Sequence, residues 1–148
     1  DGQHDLAAVT DFLDQARHNP QALVCGYPVY DQTVPLARLW GRELTNFWVH
    51  VNTRSKALKD AMCGFRVYPI AQTLPVLPSV RTRRMDFDPD IAVRLLWAGV
   101  PVINRPVRVT YPKDGISHFR GFSDNMRISR LHAGHFCTML LRRMGLAK

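Results

Sequence analysis

Between residues 5 and 17, apolar side chains recur at Leu6, Val9, Phe12, Leu13 and Ala16, the spacing of one helical face. His18-Asn19-Pro20 stops that pattern, because proline cannot continue a helix. The short apolar run at residues 22–26, bounded by Pro20 and Gly26, predicts a buried strand. Residues 27–35 carry two prolines and read as a loop. A long helix is predicted over residues 36–57, with Leu36, Leu39, Trp40, Leu44, Phe47, Trp48 and Val51 roughly on one side. Residues 60–69 read as a tight bend, in which Gly64 permits a sharp approach of backbone. Residues 70–77 are predicted to form a short helix ended by Pro75 and Pro78. Asp88-Pro89-Asp90 predicts a helix start, with Asp at the cap and Pro at the first position, running to Ala98 and Gly99. Val100, Val102, Val107 and Val109 follow as strand-like segments, and Pro101 and Pro106 place them at a sheet edge. The tail, residues 123–144, is helical in propensity but has no single clean apolar stripe. The alternation of helix and strand predicts an α/β fold with a mixed sheet.

Charge narrows the picture. Lys plus Arg number 20 against 12 Asp plus Glu in 148 residues, a formal charge of +8. Such a balance points to an anionic partner: nucleic acid, a phosphorylated ligand or a membrane surface. No helix-turn-helix, RNA-recognition or finger signature accompanies it, which argues against nucleic acid. No apolar run reaches the length of a membrane span. Cys25, Cys63 and Cys137 are too few and too scattered for a disulfide scaffold, and no CxxC spacing marks a zinc site.

Three clusters carry candidate chemistry. Asp1-Gly2-Gln3-His4-Asp5 reads either as a helix entry capped by Asp5 or as a loop whose oxygens hold Mg²⁺ or Mn²⁺. Asp60-Ala61-Met62-Cys63-Gly64-Phe65-Arg66-Val67-Tyr68 brings a carboxylate, a glycine and an arginine into one bend. Its plain reading is a structural turn with Arg66 paired to Asp60 and Cys63 buried as a small hydrophobe. In Arg84-Met85-Asp86-Phe87-Asp88-Pro89-Asp90, capping accounts for Asp88 and Asp90, and a salt bridge to the arginines would account for Asp86.

In this order the clusters resemble the second half of family 2 glycosyltransferases, in particular the dolichyl- or polyprenyl-phosphate mannosyltransferase-like branch. Asp1-Gly2-Gln3-His4 is similar to the end of that family's Asp-Ala-Asp-x-Gln-His metal motif. Residues 60–68 resemble its Ser-Asp-x-x-x-Gly-Phe-Arg-x-Tyr segment at Asp60, Gly64, Phe65, Arg66 and Tyr68. Phe87-Asp88-Pro89-Asp90-Ile91 is similar to its Phe-x-x-Glu-Ile/Leu helix start, with Asp90 in the acidic position. Val100-Pro101-Val102 and Gly115-Ile116-Ser117-His118 resemble its Val-Pro-Ile strand and Gly-x-Ser-Lys loop, His118 standing where lysine is usual. Arg42 matches the arginine of the family's long helix.

The resemblance implies a partial GT-A fold: residues 1–148 as the acceptor-side half, without the nucleotide-binding half, and inactive alone. It implies a hexosyltransferase that moves a sugar from a nucleotide-diphosphate donor, with inversion, to a lipid-linked or polyprenyl-phosphate acceptor. Asp1 and Gln3 would contribute to a divalent-cation site. Arg42, Arg66, Arg84 and His118 would meet phosphate, as would Arg81 and Arg83, since guanidinium forks match its geometry. Asp60 would be the catalytic carboxylate nearest the acceptor, and Asp90 a second acidic group on that side. The implied location is cytoplasmic, peripheral on the inner face of the membrane. There the arginine-rich tail could meet anionic lipid. The competing reading is a basic module that binds nucleic acid or a membrane surface without catalysis.

Overall fold

The computed structural model describes residues 4–30, 34, 36–110 and 121–146. Its sheet is built around β1, Leu23–Tyr30, whose first four residues are buried. Along one edge β1 pairs antiparallel with β2, Arg66–Val67, through Val24–Val67 and Cys25–Arg66. Along the other it pairs in parallel with β3, Val102–Val109, in unbroken register from Leu23–Val102 to Tyr30–Val109. The sheet is therefore mixed, in the order β2-β1-β3. Pro106 lies inside β3, on an edge strand of the described sheet, where its missing N–H is tolerated. β1 continues through the stretch expected to be a loop, because β3 supplies partners for Tyr27, Pro28, Val29 and Tyr30.

Strand alternation divides the core between the two faces. Leu23 and Cys25 point into a cluster with Val49, Leu58, Ile91 and Leu95. Val107 and Val109 belong to the opposite face, with Cys63, Phe65, Tyr30 and Ala8. The second face is covered by α1, Ala8–His18, where Phe12 meets Phe65 edge-on at 4.8 Å and Asp11 takes a two-pronged bond from Arg105. α1 starts later than its apolar spacing predicts. Asp5 is occupied elsewhere: its N–H donates to Arg108 O, its Oδ1 accepts from Ala7 N, and His4 bridges to Val109.

The first face is covered by α2, Leu36–Thr53, and α4, Phe87–Trp97, with α3, Ile70–Thr73, and a 3-10 turn, Leu77–Ser79, between them in sequence. α2 stops short of residue 57 because Arg54 takes a left-handed φ of 53°. α4 begins at Phe87, one residue before the expected cap, and its N-cap residue Asp86 makes no side-chain cap bond. Capping therefore does not explain Asp90. Gly99, at φ 77°, closes α4 in a Schellman arrangement, with Val100 N bonded to Leu95 O and Gly99 N to Leu96 O.

The tail forms α5, Gly121–Arg143, packed on α2. Its buried residues are Asp124, Ile128, His132 and His135, so polar groups face inward. Among the described residues no helix is long and apolar enough to cross a membrane.

Candidate functional site

The segment after α2 is drawn onto the sheet by its own polar groups. Asn104 of β3 accepts from Lys59 N at 2.9 Å and donates to Ala57 O at 2.7 Å. Asp60 then sets the next turn. Its Oδ1 accepts from Met62 N at 2.9 Å, Cys63 N at 2.6 Å and Arg42 Nη1 at 2.5 Å. Asn46 of α2 fixes the same turn by accepting from Ala61 N at 2.9 Å. The glycine that close packing demands is Gly26 rather than Gly64. A Cβ on Gly26 would sit 2.9 Å from Phe65 O, whereas one on Gly64 would make an ordinary contact with Asp88.

Arg66 does not pair with Asp60, contrary to the plain reading of the turn. Its side chain is 0% exposed and its guanidinium is consumed by carbonyls of the loop and of α4. It donates to Cys63 O, Ala61 O and Asp88 O at 2.8 Å each, and its Nη1 lies 3.7 Å from the Asp88 carboxylate. Burial pushes the Asp88 carboxyl above its ordinary pKa against the pull of Arg66. Arg66 thus holds the loop's shape from beneath. Cys63 and Cys25 are buried, and burial raises both thiols, Cys25 to about 11. His4 lies 3.7 Å from the Cys63 sulfur, with its pKa lowered by burial and by Arg42. A thiol pushed up beside a neutral imidazole is not an activated nucleophile.

Above this loop opens a cleft of about 230 Å³ lined by Tyr27, Pro28, Tyr30, Leu39, Arg42, Glu43, Asn46, Lys59 and Asp60. Both cations lie over aromatic rings: Arg42 is 5.7 Å from the Tyr30 ring centre, and the Lys59 ammonium is 4.4 Å from that of Tyr27. The cleft therefore combines two cations, two phenol rings and two carboxylates, the exposed Glu43 and Asp60, whose side chain is 4% exposed and already paired with Arg42. It can take an anion beside a ring-shaped or apolar group. Of the predicted residues, the structure brings Arg42 and Asp60 together here.

Lys59, Glu43, Asn46, Tyr27 and Tyr30 were missed as site residues. Leu39, Arg42, Glu43 and Asn46 recur at i, i+3, i+4 and i+7, so the helical spacing already marked one wall. The tyrosines could not be placed while residues 27–30 read as a loop.

Arg84 and Asp90 belong to a different cluster. Asp90 is buried, with Arg94 Nε at 2.5 Å and His135 Nε2 at 2.9 Å on Oδ1 and Thr82 Oγ1 at 2.9 Å on Oδ2. Burial pushes its carboxyl up, but the bonds from His135, Arg94 and Thr82 outweigh it and hold the pKa below the ordinary value. Arg84 lies 3.5 Å from the buried Asp124 carboxylate, and its N–H donates to Asp86. The expected contact of Asp86 is thus with the backbone of Arg84. Asp1, Gln3 and His118 lie outside the described residues. Among the described residues, no group of three or more His, Cys, Asp or Glu side chains is placed to hold a metal.

Comparison with protein-family models, with curated proteins and with solved structures returns no match.

Proposed function

We propose that this α/β chain is the acceptor-side part of a GT-A glycosyltransferase, similar to family 2 enzymes, that passes a hexose from a nucleotide-diphosphate donor to a polyprenyl phosphate. The observation that carries the reading is the Arg42–Asp60 pair at the base of a cleft lined by Lys59, Tyr27 and Tyr30. In the transfer, an acceptor phosphate oxygen attacks the anomeric carbon on the face opposite the leaving group. The carbon–oxygen bond to the diphosphate breaks, and its electron pair stays on the diphosphate oxygen. The acceptor is already largely anionic at neutral pH, so no proton need be removed. Arg42 and Lys59 offset phosphate charge, and Asp60 fixes Arg42 and the turn against which the acceptor sits. A divalent cation held by Asp1 and Gln3 would stabilise the departing diphosphate.

The reading is tested in the protein that carries this sequence, by following hexosyl transfer from nucleotide-diphosphate sugars to polyprenyl phosphate. Asp60→Asn is expected to lower turnover far more than donor affinity. Unchanged turnover would remove Asp60 from the mechanism. Salt-sensitive DNA binding with no binding of a sugar nucleotide would favour the non-catalytic basic module instead.

A further inference from the structure

Of the two cations in the cleft, Arg42 is already neutralised by its bond to Asp60. The Lys59 ammonium forms no ion pair among the described residues and lies 4.4 Å from the centre of the Tyr27 ring. An ammonium on a four-carbon stem is a flexible point charge, so the place where it acts depends on how its backbone is held.

Residues 55–60 belong to no helix or strand, and side chains fix their backbone. His50 of α2 donates to Leu58 O at 2.8 Å. Asn104 of β3 takes the groups on either side, accepting from Lys59 N at 2.9 Å and donating to Ala57 O at 2.7 Å. Its amide thus replaces a peptide group of a neighbouring strand, with one acceptor and one donor for residues two apart. Leu58, between the two bonds, is buried in the core.

The ladder that holds Asn104 also carries the ring. Asn104 lies opposite Cys25 in the parallel register, and Tyr27 lies two residues beyond Cys25 on the same face of the sheet. A lysine tied to Asn104 is therefore delivered to Tyr27. Asn104 itself is not among the residues that line the cleft.

We infer that Asn104 is a positioning residue of the cleft: it holds the Lys59 ammonium over Tyr27, and through Lys59 it sets how firmly an anionic group is bound. The inference rests on the reading of the cleft as the site of an acceptor phosphate. It assigns part of the affinity for that phosphate to a β3 side chain outside the cleft.

The test is a double-mutant cycle in the protein that carries this sequence, read by calorimetric binding of geranyl phosphate without sugar nucleotide. Lys59→Met is expected to weaken binding about tenfold. Asn104→Ala is expected to weaken it about fivefold, and Asn104→Ser, which keeps one polar atom at the position, by less. In the Lys59→Met background, Asn104→Ala should add less than about twofold, because its effect passes through the ammonium. In hexosyl transfer, Asn104→Ala should raise KM for polyprenyl phosphate about fivefold and leave kcat within about twofold.

Independent, multiplying losses in the cycle overturn the inference, as does unchanged affinity in both Asn104 variants. If the alanine variant does not fold, Asn104→Ser carries the same cycle. A parent chain that does not bind geranyl phosphate also overturns the inference, because the cleft then holds no such anion. Absence of hexosyl transfer with the cycle intact overturns the acceptor reading and leaves the positioning role standing.

Discussion

His135 of α5 is bonded to Asp90 of α4, Nε2 to Oδ1, at 2.9 Å in the buried interior. One helical turn earlier, His132 accepts from the Asn52 amide at 3.4 Å and is equally buried. Burial, and then the neighbouring His135, lower the pKa of His132 from 6.5 to about 4.

This fixes a direction for acid sensitivity. As pH falls below 6.5 the unfolded chain protonates at this position and the folded chain does not, until about pH 4. Stability supplied by the neutral ring is therefore complete above that window and is lost across it, by a total on the order of 3 kcal/mol. Asp90, held below its ordinary value, sheds its contribution only at still lower pH. Urea unfolding of His132→Leu should show a much flatter pH dependence across this window than the parent chain. Parallel profiles would disprove the assignment.

Asp90→Asn keeps the shape of the side chain but weakens the bonds from Arg94, His135 and Thr82. The expected loss is about 1–3 kcal/mol of stability, read from denaturant midpoints. The proposed hexosyl transfer, measured per folded molecule, should stay within about twofold, because Asp90 lies in the helix-joining cluster and not in the cleft. A collapse of turnover at full stability would instead support the acceptor-side acidic role expected of Asp90.

Arg66→Lys retains the charge and loses the fork. An ammonium on a flexible stem cannot reach Ala61 O, Cys63 O and Asp88 O together as the guanidinium does. A destabilisation of about 3 kcal/mol is expected in thermal or urea unfolding. A change under about 0.5 kcal/mol would mean that the loop holds without its clamp.

Two glycine replacements should have opposite signs. Gly26→Ala forces a methyl to 2.9 Å from Phe65 O within the sheet and should cost about 1–3 kcal/mol. Gly41→Ala, inside α2 with nothing within 4 Å of the new Cβ, should stabilise by about 0.5–1 kcal/mol. Differential scanning calorimetry of the pair checks both. Equal shifts would contradict the packing at Gly26.

Local signals were enough to find three helices to within a few residues: apolar spacing for α2, the Asp-Pro start and glycine stop for α4, and helical propensity for α5. They also marked β3 as an edge strand, because Pro106 carries its own constraint. The second half of β1 was not legible: Tyr27-Pro28-Val29-Tyr30 reads as a strand only because distant β3 pairs with it. The same holds for Asp90, whose position at a helix start invited a capping role. Its partners Thr82 and His135 lie outside that helix, and no nearby spacing announces them. Within the cleft, Arg42 and Asp60 were named from motif positions, whereas Lys59 owes its place to Asn104.

The long parallel ladder between β1 and β3 bears on how the molecule can be assembled. Every described residue lining the cleft lies from Tyr27 to Asp60, yet Tyr27 to Tyr30 and Lys59 are seated by Pro106 to Val109 and Asn104. During synthesis the cleft's side chains are complete long before the strand that arranges them emerges. Contacts so distant along the chain form late, after the entropy of closing the intervening loop has been overcome. A nascent chain that has not yet extended past Val109 therefore carries the cleft's chemistry without its geometry, and recognition begins only when β3 is threaded beside β1.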